Sequence, residues 1–179
     1  MSNKEIYIIA EIGNNHQGSV KHAMKLIKSA KDAGANAVKT QKRDNKSLYT
    51  KTFFNQVYDN PNSFAQTYGE HREKLELNKS DYKDLVDYSK EVGIDFFATP
   101  FDLNSLNFLE EFNFKSYKIA SADVTNTILQ TEIAKTKKEI FLSTGGATLE
   151  DVKRAKENIF KHNEKLTIMQ CTASYPVDI

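Results

Sequence analysis

Six short apolar runs in this chain end in a polar or charged residue, and helix-like stretches alternate with them. They are IYIIAE (Ile6 to Glu11), NAVKTQ (Asn36 to Gln41), DFFAT (Asp95 to Thr99), SYKIAS (Ser116 to Ser121), EIFLST (Glu139 to Thr144) and LTIMQCT (Leu166 to Thr172). Strands that alternate with helices bury their apolar surfaces as a parallel sheet covered by those helices. In a closed βα barrel the catalytic groups come from the C-terminal strand ends, which is where the polar residues of these runs fall. The expected fold class is therefore α/β, a TIM-type βα barrel with about six βα units. The 179 residues fit one domain with a sizeable core.

Composition excludes several function classes. A formal net charge of +1 gives no bulk attraction to nucleic acid or to an anionic membrane, so any anion must be held by a few placed lysines. No run approaches the ~20 apolar residues of a membrane span. The opening MSNKEIYIIAEIG reads as a first strand rather than a leader. A single cysteine, Cys171, excludes an intrachain disulfide framework and fits a reducing, cytoplasmic setting.

Helix signals divide the chain further. Ser19 is a candidate N-cap for a helix through Ala23, Leu26, Ile27, Ala30 and Ala33, with Gly34 as its stop. A long polar connection from Lys42 to about Asn78 follows, holding Phe53, Phe54, Tyr58, Phe64 and Tyr68. Connections longer than ~12–15 residues are uncommon unless functional. This one reads either as an insertion packed outside the barrel or as a lid over the substrate. Ser80 is a candidate cap for the next helix, which Gly93 ends. Asp102 caps a third helix with Leu106, Leu109 and Phe112, and a short fourth spans about Ile128 to Lys135. Thr148 to Asp151 forms a capping box that opens a helix through Val152, Ala155 and Ile159.

The residues with chemistry lie on the strands. Glu11 closes the first run, where a carboxylate is costly unless it faces a polar site; it is either a rim carboxylate paired with a lysine or an acid, base or orienting group. Lys39 lies inside the second strand and shares a side with Gln41. Lys118 lies inside the fourth, shortly before Ser121. Strand lysines can snorkel outward, but their coincidence with Thr99, Ser121 and Ser143 supplies charges and hydroxyls suited to a phosphate and a carboxylate. Glycines 145 and 146 let backbone amides approach an anion. Thr172 and Tyr175 follow the sixth run. Cys171 reads as a buried packing residue rather than a nucleophile, and Tyr68 to Arg72 as a solvated loop. The scattered His16, His22, His71 and His162 have no metal-ligand spacing, and no Walker or dinucleotide fingerprint is present.

Seven stretches taken together resemble the sialic acid synthase (N-acetylneuraminate synthase) family: IIAEIGNNHQG, AGANAVKTQK, TYGEHREKLEL, FFATPFD, YKIASADVTNT, IFLSTGGATLED and QCTASYP. They cover nearly the whole chain in order. The resemblance implies the N-terminal portion of a catalytic βα barrel, with the last two units and a small antifreeze-like domain lying beyond these residues. It implies condensation of phosphoenolpyruvate with N-acetylmannosamine or a related amino sugar, giving a nonulosonic acid and phosphate. It further implies a divalent manganese or magnesium ion that polarises the aldehyde, with ligands outside this chain, and a homodimer at full length. By motif, Lys39, Thr99, Lys118, Ser121 and Ser143 would hold phosphoenolpyruvate, Gln41 and Tyr175 would face the sugar, and Glu11 would be the carboxylate near the reacting carbons.

The chain departs from the family pattern at Ala173, often Ser or Asn, at Gly146, often Met, and at Ala122, often Gly. Alternatives are a legionaminic or spore-coat-type sugar synthase, or a truncated, non-catalytic fragment whose open strand edges would favour self-association. A related synthase acting on a sugar phosphate would need a second basic cluster, for which Arg43 and Arg72 are the candidates.

Overall fold

The computed structural model describes residues 6–174. They form two compact units, one up to Phe97 and one from Ala98. Strand β3 (Asp95–Pro100) runs across the boundary. Hydrogen-bonded strand neighbours follow chain order, β1-β2-β3 in the first unit and β3-β4-β5-β6 in the second.

In the first unit β1 (Ile9–Gly13) pairs in parallel with β2 (Ala37–Lys42). Helix α1 (Val20–Asp32) connects them. Ser19 caps it by accepting from the His22 N–H at 3.2 Å, as the sequence predicts. Strand β1 corrects the sequence reading: it does not stop at Glu11. The register shifts between Glu11 and Gly13, where Gly13 adopts φ +47°, so the strand continues through a bulge that needs glycine. Helix α5 (Lys79–Val92) covers β2. Tyr82 is fully buried there, with its hydroxyl 3.3 Å from Thr40 Oγ1 and donating to the Gln41 carbonyl at 3.2 Å. Its cap is Asn78, not Ser80. Asn78 accepts from the Asp81 N–H and Asp81 answers in a capping box, while the Ser80 hydroxyl donates to Asn78 Oδ1 at 2.7 Å.

The 42–78 connection is not a structureless loop. It folds into α2 (Asn45–Leu48), α3 (Lys51–Phe54) and α4 (Tyr68–Leu75). Tyr68 to Arg72 is thus helical rather than a solvated loop, and Gly69 and His71 are buried. An aromatic cluster holds the segment: the Tyr68 ring lies 4.8 Å from Phe53 and 5.3 Å from Tyr49, and Tyr58 lies 4.7 Å from His71. Aromatic contacts of this kind contribute about 0.5–1.5 kcal/mol each beyond area burial.

His16, in the turn after β1, is 1% exposed, and its Nδ1 accepts from the Gly18 N–H at 3.1 Å. Burial, followed by the charge of His22, lowers its pKa from 6.5 to about 4. The unfolded chain then takes up a proton below pH 6.5 that the folded chain refuses, so stability falls as pH drops toward the folded value. The expected loss is about 2 kcal/mol between about pH 7 and pH 5, read from urea midpoints. His16→Gln should remove that slope; an unchanged slope would contradict the assignment.

In the second unit β3, β4 (Ser116–Ile119), β5 (Glu139–Ser143) and β6 (Leu166–Met169) pair in parallel. Helices α6 (Leu103–Glu110), α7 (Thr127–Lys135) and α8 (Leu149–Phe160) lie between them in sequence. Asp102 and Thr148 cap α6 and α8 as the sequence predicts, but Phe112 lies beyond the end of α6. Alternation sends Tyr117, Ile119, Ile140 and Leu142 to one face, all fully buried, and places Ser116, Lys118, Phe141 and Ser143 on the other. No helix among the described residues is long and apolar enough to cross a membrane.

Candidate active site

Each unit carries one cluster of polar side chains near its C-terminal strand ends. In the first unit the register pairs Glu11 directly with Lys39, so the two side chains leave the sheet side by side on the same face. They form an ion pair between a nearly buried ammonium, Lys39 being 6% exposed, and a half-exposed carboxylate. Burial is the largest influence on Lys39 and lowers its pKa; Glu11 pulls it back up by charge and hydrogen bond. Gln41 lies two residues on, on the same face. A side chain at Gly13 would meet Glu11 Oε1 at 3.1 Å and Gln41 Nε2 at 3.5 Å. The bulge glycine therefore keeps the space between these two groups clear.

In the second unit the paired positions are Ala98 with Tyr117 and Lys118 with Phe141. Thr99 and Lys118 each follow a paired position by one residue, and Ser143 follows Phe141 by two, so all three share a face. Lys118 is 8% exposed and Thr99 2% exposed. Lys118 Nζ donates to the Ser143 hydroxyl and, at 2.8 Å, to the Ile119 carbonyl. Ser121 lies in a short 3-10 turn (Ser121–Asp123) rather than on the strand, and its Oγ accepts from the Gly145 N–H at 2.9 Å. A Cβ at Gly145 would meet Ser121 Oγ at 3.1 Å, Ala173 Cβ at 3.3 Å and Cys171 Cβ at 3.4 Å. Only glycine brings its amide this close to the serine without displacing neighbours.

Cys171 differs from its reading as a buried packing residue. It is half-exposed, and its Sγ donates to the Met169 carbonyl at 3.4 Å. Burial pushes the thiol up. The Ser143 hydroxyl, the Thr144 and Gly145 backbone and the Lys118 charge outweigh that and lower its pKa. The sequence shows this cysteine one residue after a strand-end glutamine, with no sign of the hydroxyls from the neighbouring strand.

Of the residues singled out in the sequence, Glu11, Lys39 and Gln41 come together in the first unit, and Thr99, Lys118, Ser121 and Ser143 in the second. Tyr175 lies outside the described residues. For a divalent metal the fit is poor: among the described residues no three His, Cys, Asp or Glu side chains gather where an ion could sit.

Parallel strands alternating with helices, with lysines, hydroxyls and glycine amides at the strand ends, define a βα-repeat scaffold. Similarity to known proteins narrows this class. Residues 26–179 match the NeuB family, and the chain belongs to that family. It is 39% identical over 174 residues to the N-acetylneuraminate-9-phosphate synthase of Drosophila melanogaster, covering 97% of this chain and 47% of that protein. It is 38% identical to the N,N'-diacetyllegionaminic acid synthase of Campylobacter jejuni, covering 97% and 53%. The crystal structure of an N-acetylneuraminic acid synthetase from Leptospira borgpetersenii, in complex with citrate, superposes with a TM-score of 0.84 at 30% identity, covering 98% of this chain and 57% of that one. The chain spans about half the length of the curated relatives it matches.

Proposed function

We propose that the protein carrying this chain is a phosphoenolpyruvate-dependent nonulosonic acid synthase, with these residues as the N-terminal portion of a TIM-type βα barrel. The observation that carries the reading is the Lys118–Ser143 contact beside the Ser121–Gly145 pair. It is a buried ammonium with two hydroxyls and a backbone N–H, on a chain of the NeuB family. That donor set matches the phosphate and carboxylate of phosphoenolpyruvate. Thr99 adds a hydroxyl to the same face, and the resemblance to the family assigns Lys39 to phosphoenolpyruvate as well. Gln41 and Tyr175 meet the acceptor, N-acetylmannosamine or a related amino sugar. The relatives' products differ in whether they carry a phosphate, which leaves the acceptor's phosphorylation open.

The chemistry divides into two bond-forming events and one cleavage. The methylene carbon of phosphoenolpyruvate attacks the aldehyde carbon of the open-chain sugar, forming the new C–C bond. Positive character develops at the carbon bearing the phosphate, and water adds there. Glu11, half-exposed and held by Lys39, orients that water and takes its proton. The tetrahedral intermediate then expels phosphate by C–O cleavage, with the lysine charges stabilising the leaving dianion. A manganese or magnesium ion remains part of the proposal, with its ligands outside the described residues, as do a cytoplasmic setting and a homodimer. No step above depends on the metal.

The test supplies phosphoenolpyruvate, N-acetylmannosamine and manganese to a full-family-length protein carrying this sequence. Equal amounts of phosphate and nonulosonic acid are expected. Phosphate release without a nine-carbon product would overturn the reading. Substantial turnover by these 179 residues alone would overturn the assignment of the metal ligands to other residues.

A further inference from the structure

Gln130 is fully buried on α7, on the same inward stripe as Leu129, Ile133 and Ala134. Glutamine is mostly a surface residue, and burying its amide is costly unless the polar atoms find partners. Here they do. Nε2 donates to the Asp123 carbonyl at 2.9 Å and to the Val124 carbonyl at 2.8 Å. Oε1 accepts from Asn158 Nδ2, on α8, at 3.3 Å. Both amide hydrogens thus go to two consecutive backbone carbonyls.

Those carbonyls close the 3-10 turn that carries Ser121. The turn is three residues long, and among the described residues no side chain caps its start. Its own bonds run from the Asp123 N–H to the Ala120 carbonyl at 3.0 Å and from the Val124 N–H to the Ser121 carbonyl at 3.2 Å. The last carbonyls of a helical turn have no partner within it. Gln130 supplies donors to both and so ties the turn to α7. Asn158 also donates to the Thr127 carbonyl at 3.0 Å, which ties α7 to α8. At the start of the turn, Ser121 Oγ accepts from the Gly145 N–H at 2.9 Å. A Cβ at Gly145 would stand only 3.1 Å from that oxygen, so the turn sits tightly against the end of β5. An oxygen that accepts from Gly145 still has its own hydrogen to donate. The backbone of the turn sets where that hydrogen can point.

We propose that Gln130 is a positioning residue for phosphoenolpyruvate binding: it clamps the turn that carries Ser121 and fixes the direction in which the Ser121 hydroxyl donates. The inference rests on the synthase reading above. Gln130 touches no substrate and moves no proton, and its effect on the ligand passes through Ser121. A glutamine that only knits the helices together would cost stability when removed, but its effect on ligand affinity would not depend on Ser121.

The test measures the dissociation constant for phosphoenolpyruvate in a full-family-length protein carrying this sequence. The wild type is compared with Gln130→Met, Ser121→Ala and the double variant. Methionine keeps the length and flexibility of the side chain and removes its amide. Each single substitution should raise the constant about tenfold. The double variant should bind no more than about twofold more weakly than Ser121→Ala alone, because Gln130 then has no hydroxyl to position. Independent losses would instead multiply to about 100-fold, and that result would overturn the proposal. An unchanged constant in either single variant would overturn it too. A wild type that does not bind phosphoenolpyruvate would sink the synthase reading and the inference together. Binding that survives Gln130→Met and still depends on Lys118 would sink the inference alone. If Gln130→Met melts early by circular dichroism, the side-chain amide of Gln130 decides the matter by NMR. Saturating phosphoenolpyruvate should shift its Nε2 resonances in the wild type and leave them in place in Ser121→Ala. Unmoved resonances in the wild type, or equal shifts in both proteins, would overturn the proposal.

Discussion

Replacing Lys118 by methionine is expected to raise the dissociation constant for phosphoenolpyruvate by about 100-fold, with the fold intact. Methionine keeps the length and apolar stem of lysine and removes only the ammonium. Lys118 is 8% exposed, and its ammonium donates to Ser143 and to the Ile119 carbonyl. It is thus held in place before any ligand arrives, and little reorganisation is needed when a phosphate or carboxylate binds. Isothermal titration of wild type and variant measures the effect. An unchanged constant would remove Lys118 from the site.

Lys39→Met should separate stability from function. The folded pKa of Lys39 lies below its ordinary value of 10.5 because burial disfavours the charged form. The folded state therefore binds the Lys39 proton less tightly than the unfolded chain does. Its cost is fully present below the folded pKa and fades as pH rises through that value toward 10.5. Removing the charge should stabilise the protein by about 1 kcal/mol at neutral pH, because the Glu11 left behind is half-exposed and can hydrate. The gain should shrink as pH rises through the folded pKa toward the ordinary value of 10.5. Synthase activity should fall by at least about 100-fold. Urea denaturation across pH, beside an assay of phosphate release, tests both halves. A destabilised variant would mean that the ion pair with Glu11 outweighs the burial of Lys39.

Much of the scaffold was legible because parallel strands and their helices leave strong periodic signals. All six strands and the caps at Ser19, Asp102 and Thr148 follow from apolar spacing and cap chemistry. The misreadings share a physical cause, in that each depended on contacts from elsewhere in the chain or on competing local bonds. Glu11 looked like a strand end because a charge followed by glycine usually is one; the bulge at Gly13 carries the strand on. Ser80 and Asn78 are both good caps, and the reciprocal bond to Asp81 decides for Asn78. The connection after β2 has little helical periodicity. Its short helices are held by the rings of Tyr49, Phe53 and Tyr68.

The candidate site was legible by residue type but not by pairing. Glu11 and Lys39 were each recognisable as costly on a strand, but that they answer one another depends on the β1–β2 register. The environment of Cys171 depends likewise on the neighbouring strand-end turn.

The central claim is that the Lys118–Ser143 cluster receives phosphoenolpyruvate. A titration of the isotopically labelled protein with phosphoenolpyruvate, followed by amide and side-chain NMR, tests it most directly. Saturable shifts are predicted at Lys118, Ser121, Ser143 and the Gly145 N–H, and they should be lost in Lys118→Met. No shift at millimolar ligand, or shifts confined to other residues, would contradict it.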